Sequence, residues 1–255
     1  MTRLSAVVVT QNEERNIERC LGSLKFADEI VVVDAFSEDR TVEIVRAFGA
    51  RVVSRKWDGF ATQKQFAIGE AGGKWVLLVD SDEAVSGGLA EEIRAVVAKD
   101  DARLAGFRIR RSNYFLGEPM PFGPWGKDYT LRLFRKTLGA IDAKPVHEGV
   151  RVDGEVGTLE DPLFHYTHQT LSESFRRLNR YTTLEAVERV GRRPIRLFDV
   201  VVTPFGVFFR YYIIGRCWKA GTRGFLLSAI TAMYRSVLYA KVYLLQREKR
   251  DRAVS

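Results

Sequence analysis

The chain reads as an α/β protein with a mainly parallel central sheet, followed by a helical, basic and aromatic C-terminal region. Three observations predict this. From Leu4 to Asp80, short β-branched runs alternate with amphipathic stretches, the pattern that lays helices over a parallel sheet. Two of the runs, residues 29–33 and 74–79, are apolar at almost every position, as strands buried on both faces require. From Leu197 onward, apolar, aromatic and basic residues occur together.

Residues 4–9 form the first expected strand. A helix over 13–24 follows, with Ile17, Cys20, Leu21 and Leu24 on one face at helical spacing. The strand 29–33 ends at Asp34. A second helix is expected over 41–48, a short strand at 51–53 and a third helix over 62–69. The strand 74–79 ends at Asp80. Between 105 and 164 the runs shorten and alternate, as in 106–110 and 130–134, with Gly and Pro between them. This texture predicts a smaller mixed or antiparallel half completing the same domain. Beyond Leu171 the spacing is helical. The expected division is therefore 1–170 for the α/β domain and 171–255 for the helical region, with no internal repeat.

With 46% hydrophobic and 28% charged residues in 255, the chain can bury a sizeable core and is not a disordered protein. The formal charge of +8 is unevenly spread: from Arg176 onward there are 17 basic and 5 acidic residues, net +12, leaving −4 for the preceding part. A basic balance by itself admits nucleic acid, anionic lipid or a phosphorylated substrate. Cys20 and Cys217 are far apart, so a disulfide framework is not expected and a cytoplasmic setting fits. The apolar stretch 4–9 is too short for a signal-peptide core, so export by that route is not expected.

In open parallel sheets, ligands sit beyond the carboxyl ends of the strands. Here those ends are acidic. The first expected strand runs into Thr10-Gln11-Asn12-Glu13-Glu14, the second into Asp34-Ala35-Phe36-Ser37-Glu38-Asp39, and the fourth into Asp80-Ser81-Asp82-Glu83. A dinucleotide-binding fold would carry a glycine-rich turn after its first strand, and a P-loop its own glycines and lysine; neither is present. An isolated Asp after a strand is commonly a turn residue or helix cap. Asp80 and Asp82 together deliver two carboxylates to one rim, and their repulsion calls for a cation. Hard oxygen ligands favour magnesium or manganese, which keep positions open for water and substrate phosphate.

The ordered succession of these motifs, together with Ala61 to Ala67, resembles the family 2 inverting glycosyltransferases with a GT-A fold. The resemblance is specific over residues 4–95, looser to about 180, and closest to the lipopolysaccharide-core glucosyltransferases. It implies a UDP-sugar donor, with Thr10 and Glu13 lining the nucleotide pocket, Asp34 accepting from the uracil imide, and Lys64 contacting the diphosphate.

By the same resemblance Asp80 touches the ribose or a metal-bound water, and Asp82 binds the metal. His165 falls where many GT-A enzymes place a late metal ligand, with His168 as a weaker candidate. Arg132 reaches the phosphates or covers the strand beneath them. An inverting transfer also needs a base for the acceptor hydroxyl. Glu148, within Pro145-Val146-His147-Glu148-Gly149, is the candidate; Asp128 and Glu118 are its rivals. Trp125 and Phe122 either stack on a sugar or pack as a loop. The Gln-x-x-Arg-Trp signature of processive synthases is missing, so one sugar per encounter is expected. The implied reaction moves a single hexose, with glucose from UDP-glucose as the expected donor, to a lipid-linked saccharide such as the lipopolysaccharide inner core.

Segments 200–209 and 225–234 are strongly apolar, but Pro204, Arg210, Arg235 and Lys241 break the run a bilayer span needs. Aromatic and apolar positions beside cations suit a helix lying in the interface with anionic lipid. This predicts peripheral attachment to the cytoplasmic face of the inner membrane; helices packed on the domain, or in a homo-oligomer interface, are the other reading. Two further classes compete. Nucleotidyl transfer to a sugar phosphate would carry a glycine- and arginine-rich first loop, where Gln11-Asn12-Glu13-Glu14 stands. A non-catalytic membrane- or RNA-binding module would leave the acidic strand ends without a purpose, and no nucleic-acid partner is expected.

Overall fold

The computed structural model describes residues 3–142, 149–167 and 169–254, excepting the side chains of 252–254. It divides into two compact units. The first comprises residues 1–112 and 128–165, and the second 113–127 and 166–255.

The first unit is the α/β part. Its elements begin with β1 (Leu4–Thr10), α1 (Ile17–Ser23), β2 (Glu29–Asp34), α2 (Thr41–Ala47), β3 (Arg51–Ser54), α3 (Phe60–Glu70) and β4 (Trp75–Asp80). They continue with β5 (Glu83–Val85), α4 (Gly87–Lys99) and β6 (Leu104–Phe115), whose last residues belong to the second unit. There β7 (Glu118–Pro119) pairs with Tyr114 and Phe115. The first unit closes with β8 (Asp128–Arg135), β9 (Gly139–Ile141), β10 (Val150–Val152) and β11 (Glu155–His165).

The main sheet runs β3-β2-β1-β4-β8-β6-β11-β5. The first four strands are mutually parallel. The pairings β4–β8, β8–β6 and β11–β5 are antiparallel. The expected mixed half is thus present, and it extends the same sheet. Every residue of β1 is buried, because β1 is hydrogen-bonded on both edges and covered on both faces. Leu4, Ala6 and Val8 face a cluster with Ile17, Leu21 and Trp75, while Val7 and Val9 face another with Ala67, Ile68 and Phe134.

The first helix starts later than its apolar spacing suggests. The amides of Glu13 and Glu14 donate to Thr41 Oγ1 (2.9 Å) and Asp39 Oδ2 (3.1 Å), which holds those residues out of helical geometry. Ile17, Cys20, Leu21 and Leu24 are all buried, as their spacing requires. α4 is an addition to the elements read from sequence. Ser86 caps it by accepting from the Leu89 amide at 3.1 Å, and it buries Leu89, Ile93 and Val97.

The second unit is helical: α5 (Leu171–Arg189), α6 (Leu197–Phe209), a π-helical turn Arg210–Ile214 and α7 (Gly221–Val254). α5 opens on a capping box in which Thr170 and Glu173 satisfy each other's amides. Ala186, Ile195, Leu238 and Val242 form the core between α5 and α7, with Val200 of α6 against it. α6 carries Pro204, which lacks an amide hydrogen for the helical ladder.

Leu77 is fully buried in β4, between β1 and β8. Leu77→Ala is expected to lower unfolding free energy by about 2–5 kcal/mol through lost burial and a residual cavity. Urea denaturation with an unchanged m-value is the check.

Candidate active site

Parallel register brings the polar strand ends into one row. Thr10 stands beside Asp34 across β1 and β2, and Val9 stands beside Asp80 across β1 and β4. The chain proceeds outward from β1 to β2 and β3, then returns to place β4 on the other side of β1. This reversal makes a crevice at the carboxyl ends of β1 and β4, the place where open α/β sheets bind ligands.

The loops after β1 and β2 are braced together around this row. Asn12 Oδ1 accepts from the Glu38 amide at 2.8 Å, and the Asn12 amide donates to Ser37 Oγ at 2.8 Å. Gln11 Nε2 donates to the Ala35 carbonyl at 3.1 Å. Asn12 and Phe36 both adopt positive φ, 53° and 57°, a conformation that is uncommon for Asn and costly for a bulky residue. Asp34 is buried and accepts from the Ser37 amide (2.9 Å) and hydroxyl (2.5 Å). Its carboxylate has lone pairs beyond these two bonds. Thr10 is 2% exposed and its hydroxyl oxygen has no partner among the described residues, an orphaned buried group of the kind a ligand satisfies. Glu13 Oε2 accepts from Asn16 Nδ2 at 2.7 Å.

At the end of β4 the charges are arranged in alternation. Lys64, 7% exposed on α3, sets Nζ 2.8 Å from Asp80 Oδ1. Arg132 on β8 donates to Asp80 Oδ2 and, at 2.7 Å, to Glu83 Oε1. Glu83 returns a bond through Oε2, which accepts from the Asp80 amide at 3.0 Å. Arg111 then bridges Glu83 at 3.5 Å and Asp128 at 2.7 Å. Part of the counter-charge that the acidic turn demands thus comes from the chain's own lysine and arginines. Burial alone would push the Asp80 carboxyl up, but Arg132 and Lys64 outweigh it and hold it well below the carboxylate range. Burial likewise disfavours the Arg132 cation, yet Asp80 and Glu83 hold it charged. The Cys20 thiol, beneath this rim, is pushed up by burial and then by Glu83, Asp82 and Asp80.

Asp82 is buried and its Oδ2 lies 3.6 Å from His165 Nε2. The antiparallel pairing of β11 with β5 sets His165 opposite Glu83, which brings the late histidine to the acidic turn. Among the described residues no three His, Cys, Asp or Glu side chains are disposed as a complete metal cage. The Asp82 carboxylate is a donor suited to magnesium or manganese when substrate phosphate and water supply the remaining ligands, whereas the imidazole nitrogen beside it is a softer donor that a hard magnesium ion disfavours.

The structure therefore gathers Thr10, Asp34, Lys64, Asp80, Asp82, Arg132 and His165 at the rim of one unit. Glu148 and His168 lie outside the described residues. Ile141 and Gly149 flank the segment bearing Glu148: Ile141 donates its amide to Gln65 Oε1 of α3 at 2.9 Å, and Gly149 accepts from Asp142 at 2.8 Å. Asp128 is engaged by Arg111, and Glu118 by Arg223 in the second unit. Phe122 and Trp125 also belong to the second unit, packed with Phe115, Met120 and Leu227. Two contributors were not singled out from sequence. Glu83 orients Arg132, and Gln63, next to Lys64 on α3, is fully buried with Nε2 on the Arg55 carbonyl (3.1 Å) and, among the described residues, no partner for Oε1. An acidic residue directly after Asp-x-Asp was the available signal for Glu83; nothing in the pattern distinguished Gln63 from its helical neighbours.

Comparison with known proteins agrees with this geometry. The family model for glycosyl transferase family 2 matches residues 5–150. A Rhizobium meliloti protein described as the lipopolysaccharide core biosynthesis glycosyltransferase LpsC is 32% identical over 249 residues, covering 94% of this chain and 92% of its own length. An uncharacterized glycosyltransferase of Rickettsia bellii is 29% identical, covering 94% and 86%. Among solved structures, the mannosyltransferase PcManGT of Pyrobaculum calidifontis superposes with a TM-score of 0.51 at 17% identity, covering 94% of this chain and 85% of that one. That likeness is one of fold. With its strand-end row, its parallel sheet and these matches together, the chain belongs to glycosyl transferase family 2 and is a GT-A glycosyltransferase.

Proposed function

We propose that the chain is an inverting, metal-dependent transferase that moves one hexose, glucose from UDP-glucose, to a lipid-linked saccharide such as the lipopolysaccharide inner core. The observation that carries this reading is the row Thr10, Asp34 and Asp80 at the switch point, with Asp82 and His165 beside it and Lys64 on Asp80. The lipopolysaccharide assignment draws on the relative described by that role.

In this reading Asp34 accepts from the base, using acceptor capacity left by its two bonds to Ser37. Thr10 and Glu13 line the nucleotide. Lys64 faces the diphosphate, while Arg132 holds Asp80 in place and adds positive potential beneath it. Asp82 and His165 would hold a magnesium or manganese ion, which would supply counter-charge for the departing nucleoside diphosphate. Glu148 takes the proton of the attacking acceptor hydroxyl.

The helical region supplies attachment to the cytoplasmic face of the inner membrane. Residues Leu197–Ile214 have mean hydropathy 1.5, and none of them is buried. By length and composition this stretch suffices to cross a bilayer, yet Pro204 and Arg210 interrupt it, and its apolar side chains lie between Arg196 and a second group of cations, Arg210, Arg216 and Lys219. Cations flanking an exposed apolar helix favour an interfacial position on anionic lipid.

Incubating the protein with UDP-sugars and membrane extract, with and without manganese, tests the reading; product masses identify the sugar moved. A metal-independent preference for nucleoside triphosphates would replace it with nucleotidyl transfer. Asp82→Asn is expected to retain the fold and lose turnover by about 100-fold or more, since the cation supplies several kcal/mol of charge stabilisation; full activity would remove Asp82 from the metal site. Glu148→Gln should slow transfer by about 10²–10⁴-fold while donor affinity, measured by calorimetry, stays the same. Replacing exposed Phe198 and Phe205 by Ser should reduce sedimentation with anionic vesicles, most visibly at high salt where the flanking cations are screened. Unchanged sedimentation would move attachment elsewhere.

A further inference from the structure

The second unit holds a half-open cavity of about 300 Å³, at the small end of the roughly 300–1,000 Å³ range of ligand sites. It is bounded by segments far apart in sequence. α5 contributes Leu178 and Tyr181, α7 contributes Leu227, Ile230 and Tyr234, and the 113–127 segment contributes Phe115 and Trp125. Phe115 and Trp125 meet edge to face with centroids 6.1 Å apart. The wall is therefore mainly aromatic and aliphatic. Its polar groups are Thr167, Ser174, Thr231, the hydroxyls of Tyr181, Tyr211 and Tyr234, the last donating to Glu185 Oε2 at 2.6 Å, and the Arg177 guanidinium, which donates to Thr167 Oγ1 at 3.3 Å.

Such a wall offers a sugar or nucleotide fewer hydrogen-bonding partners than its polar groups would give up on entry. It suits a hydrocarbon chain, with an anion held at Arg177. Tyr211 indicates where that chain comes from. It lines the cavity and also belongs to the exposed apolar stretch Leu197–Ile214, so the wall is continuous with the surface assigned above to the membrane. The positive charge of the region from Arg176 onward is complementary to an anionic headgroup.

We infer that this cavity binds part of an alkyl or acyl chain of an anionic membrane lipid, its phosphate drawn to Arg177. The inference rests on the membrane-surface reading and extends it to a defined site. It gives Trp125 a place in the wall of that site.

The test is photo-crosslinking of the full-length protein with dodecyl phosphate carrying a terminal diazirine, below its micelle concentration, followed by peptide mass mapping. Saturable label on the peptides bearing Tyr181, Tyr211 and Leu227 is expected. Ile230→Trp, or Leu178→Trp should the first variant lose its circular dichroism, should reduce that label by about tenfold or more by filling the space. Arg177→Gln should weaken labelling by about tenfold, the worth of one charge-assisted bond, and dodecyl maltoside should compete poorly. Label confined to residues 197–209, or undiminished in the filled variants, would overturn the cavity assignment; equal competition by phosphate and maltoside would overturn the role of Arg177. Vesicle sedimentation keeps the two readings apart. Ile230→Trp should still sediment, whereas wild-type protein that is labelled in the cavity but does not sediment would sink the membrane reading alone.

Discussion

A carboxylate drawn partly out of water at the end of a buried strand must be matched by positive charge, and Asp80 meets that constraint twice. Lys64 reaches it from α3 and Arg132 from β8. Both cations are nearly buried, whereas the Asp80 side chain keeps 29% of its surface in solvent, so its loss would leave two desolvated cations without their shared partner. The consequence is geometric as much as energetic. A helix, a parallel strand and an antiparallel strand are pinned at one point, and Glu83 extends the pinning to Arg111 and Asp128.

In the proposed function, this network is what makes the acidic turn usable for chemistry. Unmatched carboxylates so close together would repel or take up protons. With Asp80 held ionised between two cations, and Glu83 committed to Arg132, the turn is rigid in both position and charge. Asp82, one residue on, is presented beside His165 by the pairing of β5 with β11. Rigid placement of charge before substrate arrives is what makes electrostatic stabilisation effective in a site of this kind. The braced loops after β1 and β2 serve the same end on the other side of the row: their backbone amides are tied to side chains of the opposite loop, and the positive-φ residues Asn12 and Phe36 are held by those ties.

The second unit follows a different logic. Its core is small, centred on Ala186, Ile195, Leu238 and Val242, while many large apolar side chains of α6 remain exposed, among them Phe198 at 70% and Phe205 at 73%. A water-soluble helix would not keep such a face uncovered without a partner. The same unit holds a half-open aromatic cavity lined in part by Trp125, so its apolar content is divided between a core, a surface and that space.

Much of the first unit was legible in the sequence because its signals are local. Runs of β-branched residues mark β1, β2 and β4, and the apolar spacing of Ile17, Cys20, Leu21 and Leu24 marks the face of α1; each depends on neighbours within a turn or a strand. The polar residues that end those strands were legible for the same reason, and their order along the chain carried the family resemblance. Only the tertiary structure decided which charges meet: that Lys64 and Arg132 both fall on Asp80, that Glu83 serves Arg132, that His165 arrives at Asp82 across the β5–β11 pairing. Those contacts join residues about 15 to 80 positions apart, and a periodicity of two or 3.6 residues holds no information about partners at that distance. The aromatic cavity escaped for the same reason, since its wall is drawn from Phe115 to Tyr234 and exists only once four separate segments have packed.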